Sequence, residues 1–261
     1  MSDENPASLS APTAGSPVPS FVSLQLPSVP PRVTFAILGV TVLVYLVQLL
    51  TPNYYYSLDL PTLYGAKINE LIRAGELWRL ITPILLHAGL AHIGFNMYAL
   101  FSFGQGLERR YGYVRFLALY LLAGFAGNVL SFLFSDGISV GASTSVFGLV
   151  GAEGIFIYQN RDLFADRGRA ALSNILTIAG INLFIGLSSG GAIDNWGHIG
   201  GLIGGALFAW VGGPRLEVQG NYPLVQIVDT SEPLHAWNGA ALVLIIFGVL
   251  TLVGIYFPVV P

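Results

Sequence analysis

The sequence predicts an all-α fold, a polytopic bundle of seven transmembrane helices. The chain of 261 residues is 54% hydrophobic and only 10% charged, with a mean hydropathy of +0.68. A soluble domain normally carries about 25% charged residues, so most of this surface must face something other than water. Seven apolar stretches, each near the ~20 residues needed to cross a bilayer, cover residues 33–51, 82–103, 113–134, 143–160, 171–188, 196–213 and 237–259.

The stretches divide the chain into four parts. Residues 1–32 are rich in Pro, Ser and Ala, and such a segment cannot bury a core, so we expect a disordered cytoplasmic tail. Residues 33–213 are predicted to form a six-helix core. A polar cytoplasmic linker, 214–236, then leads to an added C-terminal transmembrane helix, 237–261.

Basic residues predict the orientation. With the N-terminus inside, eight of the 11 Lys and Arg fall in cytoplasmic segments, which favours this topology: Arg32, Arg109, Arg110, Arg115, Arg161, Arg167, Arg169 and Arg215. The outer connection 52–81 carries rings of the kind that prefer a membrane interface, namely Tyr54, Tyr55, Tyr56, Tyr64 and Trp78. No organelle-targeting segment is evident, which favours a prokaryotic inner membrane.

Composition also excludes several kinds of chemistry. The chain has no Cys, which excludes disulfides, thiolate catalysis and Cys-ligated metals. No H-E-x-x-H motif is present, which argues against a zinc protease, and we expect neither a metal nor a cofactor. The net charge of −3 gives no electrostatic case for a nucleic-acid partner.

Four polar residues lie inside predicted spans, where polar groups are costly and indicate function. His92 and Asn96 lie in the second span, Ser143 opens the fourth, and His198 lies near the start of the sixth. Each has a structural alternative when taken alone: the serine as a helix cap or backbone hydrogen-bonder, the others as packing or interhelical bonds. Together they lie at similar outer depth and supply a nucleophile, a base and two donors, which is the set that acyl transfer needs.

The neighbours of Ser143 and His198 favour close helix packing. Ser143 follows Gly141 and Ala142 at the start of a predicted helix, where a backbone N–H stabilises an oxyanion. Small residues at four-residue spacing, Gly197, Gly201 and Gly205, surround His198, and Gly148 and Ala152 offer a matching face on the fourth span. Such faces let helix backbones approach one another in lipid.

Five motifs in order resemble the rhomboid family of intramembrane serine proteases. They are Gly75-Glu76-Leu77-Trp78-Arg79, then His87 with His92 and Asn96, then Glu108-Arg109-Arg110, then Gly141-Ala142-Ser143 with Val146-Phe147-Gly148-Leu149, and finally Gly197-His198-Ile199-Gly200-Gly201. The resemblance covers roughly residues 60–213. The predicted seventh span resembles the family variant in which one helix follows the six-helix core.

The resemblance implies a serine endopeptidase with a Ser-His dyad. Ser143 would attack the scissile carbonyl, while His198 would take its proton and return it to the leaving amine. His92, Asn96 and the Ser143 backbone N–H would hold the oxyanion, and Phe147 would stack on the base. The implied partners are membrane lipid and transmembrane protein substrates, cut near the outer membrane face.

Three residues mark departures and alternatives. Family members often have Gly directly after the nucleophile, where this chain has Thr144, which bears on the shape of the pocket. Asp194 lies just before the base motif and is interpreted as a loop residue, since the family has no acidic triad member. Glu153 lies too deep for catalysis and is interpreted as a structural hydrogen-bonder.

Two alternative functions remain open. One is a rhomboid-like pseudoprotease, which would normally lack the Ser or the His. The other is a small transporter, for which Glu153 is the one supporting residue.

Overall fold

The computed structural model describes residues 25–53, 58–188, 190, 193–221 and 224–260. Most of the predicted tail, 1–24, and the aromatic residues at 54–56 lie outside these ranges. Within them the chain forms a helical bundle with two small antiparallel sheets. In chain order the elements are α1 (Arg32–Leu50), β1 (Pro52–Asn53), β2 (Leu58–Asp59), α2 (Leu60–Gly65), α3 (Asn69–Arg73), α4 (Leu90–Phe134), α5 (Ser143–Gln159), α6 (Arg161–Ser188), α7 (Asn195–Gly212), β3 (Leu216–Gln219), β4 (Gln226–Asp229) and α8 (Pro233–Tyr256).

The predicted helical bundle is confirmed. By length and composition, four helical segments within the described ranges suffice to cross a bilayer: Arg32–Leu50, Leu90–Phe134, Asp166–Ser188 and Pro233–Tyr256. The second of these has 45 residues, about 67 Å at 1.5 Å per residue, which is enough for two crossings. The exact number of seven crossings stays a prediction.

The predicted second and third spans belong to one interrupted helix. Helix α4 runs from Leu90 to Phe134, and its backbone leaves helical geometry only at Gly112, where φ is +76°. The predicted start at residue 82 was wrong by eight residues, because residues 82–85 form a 3₁₀ turn that begins with Thr82 and Pro83. The backbone N–H and C=O of His87 bond to the side chain of Gln48 instead of to a helix ladder.

Helices α4, α5 and α7 form the buried centre of the bundle. In its most apolar stretch, α4 has 67% of its residues buried, whereas the corresponding shares are 22% for α1, 17% for α6 and 28% for α8. The three outer helices therefore present most of their surface to the surroundings. Large apolar side chains cover that surface, which suits lipid and not water.

A buried carboxylate holds the start of helix α1 against the centre. The side chain of Glu108 accepts bonds from the backbone N–H groups of Val33 (2.7 Å) and Thr34 (2.7 Å) and from the Thr34 hydroxyl (2.6 Å). The first N–H groups of a helix have no partner inside it and carry a partial positive charge. Glu108 therefore caps α1 from a different helix, which explains an acidic residue that is fully buried.

The sheets lie in the two polar connections. β1 pairs with β2 between α1 and α2. β3 pairs with β4 inside the predicted linker, with Leu216 opposite Asp229. No strands were predicted there from the sequence, and α8 begins at Pro233, before the predicted end of the linker. The side chain of Arg115, on α4, bonds to Asp229 at 2.6 Å, which fixes this hairpin to the end of the bundle.

Candidate active site

Ser143 is the first residue of α5 and follows a sharp turn. Gly141 has a φ of +135°, a conformation that disfavours any side chain. A Cβ at this position would lie 2.7 Å from Nε2 of His92. The backbone N–H of Gly141 donates to the carbonyl of Pro83 at 2.9 Å. The glycine thus lets the chain reverse directly against His92 and deliver the serine at a helix N-terminus.

His198 lies on α7 opposite Ser143. Its Nε2 is 3.0 Å from the Ser143 Oγ, a distance suited to proton transfer between nucleophile and base. The imidazole is buried, and its Nδ1 has no hydrogen-bond partner among the described residues. Asp194 caps α7 instead, with its carboxylate accepting from the backbone N–H of Gly197 at 2.9 Å. Within the described part of the chain, the pair is therefore a Ser-His arrangement in which no carboxylate bonds to the ring.

Phe147 lies one helical turn after Ser143 and covers one face of the imidazole. The two ring centroids are 4.2 Å apart and the planes differ by 9°, so the rings are stacked. Both rings are buried. Because a stacked neighbour restricts tilting of the ring, Phe147 helps to keep the imidazole in the plane that contains the line from Nε2 of His198 to the serine.

Glycines bring α5 and α7 into backbone contact. A Cβ at Gly201 would overlap the carbonyl oxygen of Thr144, and a Cβ at Gly205 would overlap that of Gly148. The predicted close-packing face therefore meets α5 at the residue directly after Ser143 and again one turn later. The separation of Ser143 and His198 depends on this main-chain contact.

Thr144 is accommodated on the side of α5 that faces away from the cavity. Its side chain is buried and fills space left by two glycines. A Cβ at Gly127 would lie 2.6 Å from the Thr144 Cβ, and one at Gly197 would lie 3.0 Å from its Cγ2. Thr144 is not among the residues that line the cavity beside Ser143. Its bulk therefore contributes to helix packing.

His92 and Asn96 face the turn before Ser143 from the first part of α4. The Gly141 Cβ position lies 2.7 Å from His92 Nε2 and 3.6 Å from Asn96 Nδ2. Asn96 is buried and its Nδ2 has no hydrogen-bond partner in the described residues. The imidazole Nδ1 of His92 accepts weakly from the Ala88 N–H at 3.4 Å. An unpaired donor beside a serine is available for a ligand oxygen.

A cavity of about 1030 Å³ joins these groups. Ser143, His198, His92 and Asn96 all line it, and its other walls come from the segment 135–140 and from apolar side chains of α4, α5 and α6. The polar groups lie at one side of a largely hydrophobic space. Such a site can hold an apolar peptide segment while presenting a nucleophile, a base and donors to one carbonyl.

Two residues that support the site were not assigned to it from the sequence. The Gln48 amide bonds to both backbone groups of His87 and to Asp59 and Thr62. The ring of His87 in turn accepts from the backbone N–H of Ala142 at 3.4 Å, next to Ser143. The available signal was a polar residue, Gln48, near the end of an apolar span.

Glu153 forms an ion pair with Arg110 of α4. The guanidinium also lies 4.4 Å above the ring of Phe156. Both side chains are largely buried, so the carboxylate is paired as a buried charge normally must be. This pairing agrees with a structural interpretation of Glu153. Elsewhere in the described ranges, no three His, Asp or Glu residues come together to hold a metal ion.

Comparison with known proteins identifies relatives of this chain. Residues 74–215 match the family model described as the Rhomboid domain. Rhomboid protease GluP of Bacillus subtilis (strain 168) is 51% identical over 142 residues, covering 54% of this chain and 27% of that protein. RHOMBOID-like protein 9, chloroplastic, of Arabidopsis thaliana is 39% identical over 162 residues, covering 62% and 37%. Rhomboid-like protease 1 of Toxoplasma gondii is 35% identical over 144 residues, covering 54% and 49%. The chain thus spans half or less of the length of these curated relatives.

Proposed function

The chain belongs to the rhomboid family, and on that premise we propose that it is an intramembrane serine endopeptidase that uses Ser143 and His198. The observation that carries the proposal is the 3.0 Å separation between the Ser143 Oγ and His198 Nε2. The family membership agrees with the resemblance predicted from the five motifs, and it makes the chain an integral membrane protein.

The proposed reaction begins with attack of the Ser143 Oγ on a scissile carbonyl. His198 Nε2 accepts the hydroxyl proton and later donates it to the leaving amine, after which water hydrolyses the acyl-enzyme by the same route in reverse. This requires a neutral imidazole with its proton on Nδ1 in the resting state. Stacking by Phe147 at 4.2 Å supports the ring plane that this transfer needs.

We propose that His92, Asn96 and the Ser143 backbone N–H stabilise the oxyanion. The unpaired Nδ2 of Asn96 supports this assignment, as does the nearness of both side chains to the Gly141 turn. Fixed donors in a site shielded from water stabilise developing charge more than water does, because they need no reorganisation. The N-terminus of α5 adds a favourable dipole at the same point.

The proposed substrates are membrane-spanning helices cut near the outer membrane face. A peptide bond in such a helix is protected by its own hydrogen bonds, so the segment must unwind before it is cleaved. The apolar walls of the cavity support binding of such a segment. With the N-terminus in the cytoplasm, as the basic residues predict, Ser143 lies toward the outer side. We propose this orientation and a prokaryotic inner membrane.

The test is cleavage by the purified full chain in liposomes, with a single-span substrate and a fluorophosphonate probe. We expect wild-type chain to cut the substrate and take the label, and Ser143→Ala and His198→Ala to lose cleavage. Ser145→Ala is a matched control, because Ser145 is fully buried on the same helix and faces Gly124, away from the cavity. It should keep both activities.

The same experiment separates the alternatives. Undiminished cleavage by Ser143→Ala would remove Ser143 as nucleophile. A wild-type chain that neither cuts nor reacts with the probe, beside a labelled positive control, would favour a binding protein without catalysis. Solute flux through liposomes that persists in both dyad variants would favour a transporter.

A further inference from the structure

Lys67 is a fully buried lysine in the short connection between α2 and α3. Its ammonium donates to the carbonyl oxygens of Ser135 (2.7 Å) and Gly137 (2.8 Å). Its backbone also pairs in both directions with Ser139, at 3.0 and 3.2 Å. One residue therefore makes four bonds to a single segment elsewhere in the chain.

That segment, 135–141, connects α4 to the nucleophile. Its first six residues line the cavity beside Ser143, and it contains neither helix nor named strand. Its position therefore depends on bonds to its neighbours. Within the described residues these include Asn69, whose amide also donates to the Ser135 carbonyl at 3.0 Å, and Pro83, which receives the Gly141 N–H.

Burial of the Lys67 charge is unfavourable for folding. Burial lowers the pKa of Lys67 from 10.5 to about 8, while Asp194, Asp136 and Glu70 act in the opposite direction and Arg73 adds to the lowering. Because the folded pKa lies below the unfolded one, the unfolded chain binds the proton more tightly. The contribution of this group to stability therefore increases as pH rises from about 8 to 10.5. At neutral pH burial of the ammonium therefore costs folding free energy, and its two bonds to the segment 135–141 offset that cost.

We propose that Lys67 is a positioning residue that holds the segment 135–141 so that Ser143 begins α5 within reach of His198. This inference rests on the proposed protease function. The ammonium is suited to the task because charge-assisted bonds to carbonyls are short and about twice as strong as neutral ones. Two carbonyls on one charge fix the segment at two points, immediately before the turn at Gly141.

The test is Lys67→Met, which keeps the length of the side chain and removes both donors. We expect kcat for a single-span substrate to fall roughly tenfold, the loss corresponding to bonds from a charged donor. KM should stay within about twofold, since the change affects the geometry of the nucleophile more than substrate binding. The unfolding temperature should change little, because loss of the two bonds and removal of the buried charge have opposite effects on stability. Labelling of Ser143 by a fluorophosphonate should slow in proportion to kcat.

Arg110→Met is the matched control, because Arg110 is another largely buried cation and its hydrogen bonds, to Gly106 and Glu153, lie outside the segment 135–141. It should lower the unfolding temperature and leave kcat unchanged. A second variant, Asn69→Leu, removes one bond to Ser135 and should reduce kcat less than Lys67→Met does.

Three outcomes would overturn the proposal. They are an unchanged kcat in Lys67→Met, a rise in KM without a fall in kcat, and unfolding of Lys67→Met under conditions where Arg110→Met stays folded. These results all presuppose a wild-type chain that cleaves. A wild-type chain without cleavage contradicts the proposed function instead, so the two failures are distinct.

Discussion

Helices α7 and α6 form two walls of the same cavity and are held in different ways. Helix α7 meets α5 main chain to main chain, with Gly201 against Thr144 and Gly205 against Gly148. Helix α6 has only 17% of its most apolar stretch buried, and a Cβ at Gly180 would meet nothing within 4 Å. The difference shows that one wall fixes the positions of Ser143 and His198, whereas the other has few contacts to limit its movement.

The contrast matters for the proposed function, in which the site receives a membrane helix. The Ser-His geometry must be held to within a fraction of an ångström for proton transfer. A substrate segment, however, needs a way in from the lipid, and a loosely packed helix separates from its neighbours at lower free-energy cost. Tight packing on one side and loose packing on the other meet both requirements.

The largest expected effect comes from Gly201→Ala, which disrupts the packing of α7 against α5, hereafter the tight wall. A Cβ there would overlap the Thr144 carbonyl, and main chain at the start of a buried helix does not move aside readily. Overpacking typically costs 1–3 kcal/mol where side chains can adjust, and here we expect more. Cleavage and fluorophosphonate labelling should fall below detection, with a lower unfolding temperature.

Gly180→Ala is the matched control, because it is the same substitution on α6, the loosely packed wall of the cavity. The new methyl group meets open space, and Ala is a better helix former than Gly by up to about 1 kcal/mol. We expect wild-type cleavage and an equal or slightly higher unfolding temperature. Equal effects of the two substitutions on cleavage and unfolding temperature would mean that α6 and α7 are packed equally tightly.

Much of the tight wall was predictable from the sequence. The small residues Gly197, Gly201 and Gly205 indicated close packing because their spacing is periodic on a helix. The same periodicity placed Phe147 one turn after Ser143. Local spacing along one helix is information that a sequence carries directly.

The supports around the site were not predictable in this way. Lys67 and Gln48 bond to backbone groups 39 to 70 residues away, and a side chain bonded to a distant carbonyl leaves no periodic pattern. The start of α4 was misplaced for the same reason, since Gln48 takes the backbone groups of His87 that a helix would have used. The hairpin of β3 and β4 lies in a polar stretch that is too short to show an alternating pattern.

A smaller effect is expected from the two proposed oxyanion donors on α4. If His92 and Asn96 each donate a full bond to the oxyanion, His92→Ala and Asn96→Ala should each reduce kcat by about 10²–10³. KM should change little, because the bond strengthens in the transition state. The measurement is steady-state cleavage of a single-span substrate. Wild-type rates in either variant would exclude that residue from the site.

The smallest effect is expected where α6 contacts α7. The amide of Asn195, at the start of α7, donates to the Leu183 carbonyl of α6 at 3.2 Å, and its side chain fills the space beside Gly186. One such bond contributes about 1 kcal/mol net, so Asn195→Ala should ease separation of α6. We expect cleavage of a single-span substrate to rise by up to about fivefold, if entry of the substrate limits the rate.

Labelling by a small fluorophosphonate separates this effect from a displacement of His198. The probe needs less opening than a helix does, so Asn195→Ala should label at the wild-type rate while it cleaves the transmembrane substrate faster. Asn195 lies three residues before His198, and a contact that positioned the imidazole would behave differently. If cleavage and labelling both slow, Asn195 acts by positioning His198 and belongs to the tight wall. The change from tight to loose packing would then begin at α6.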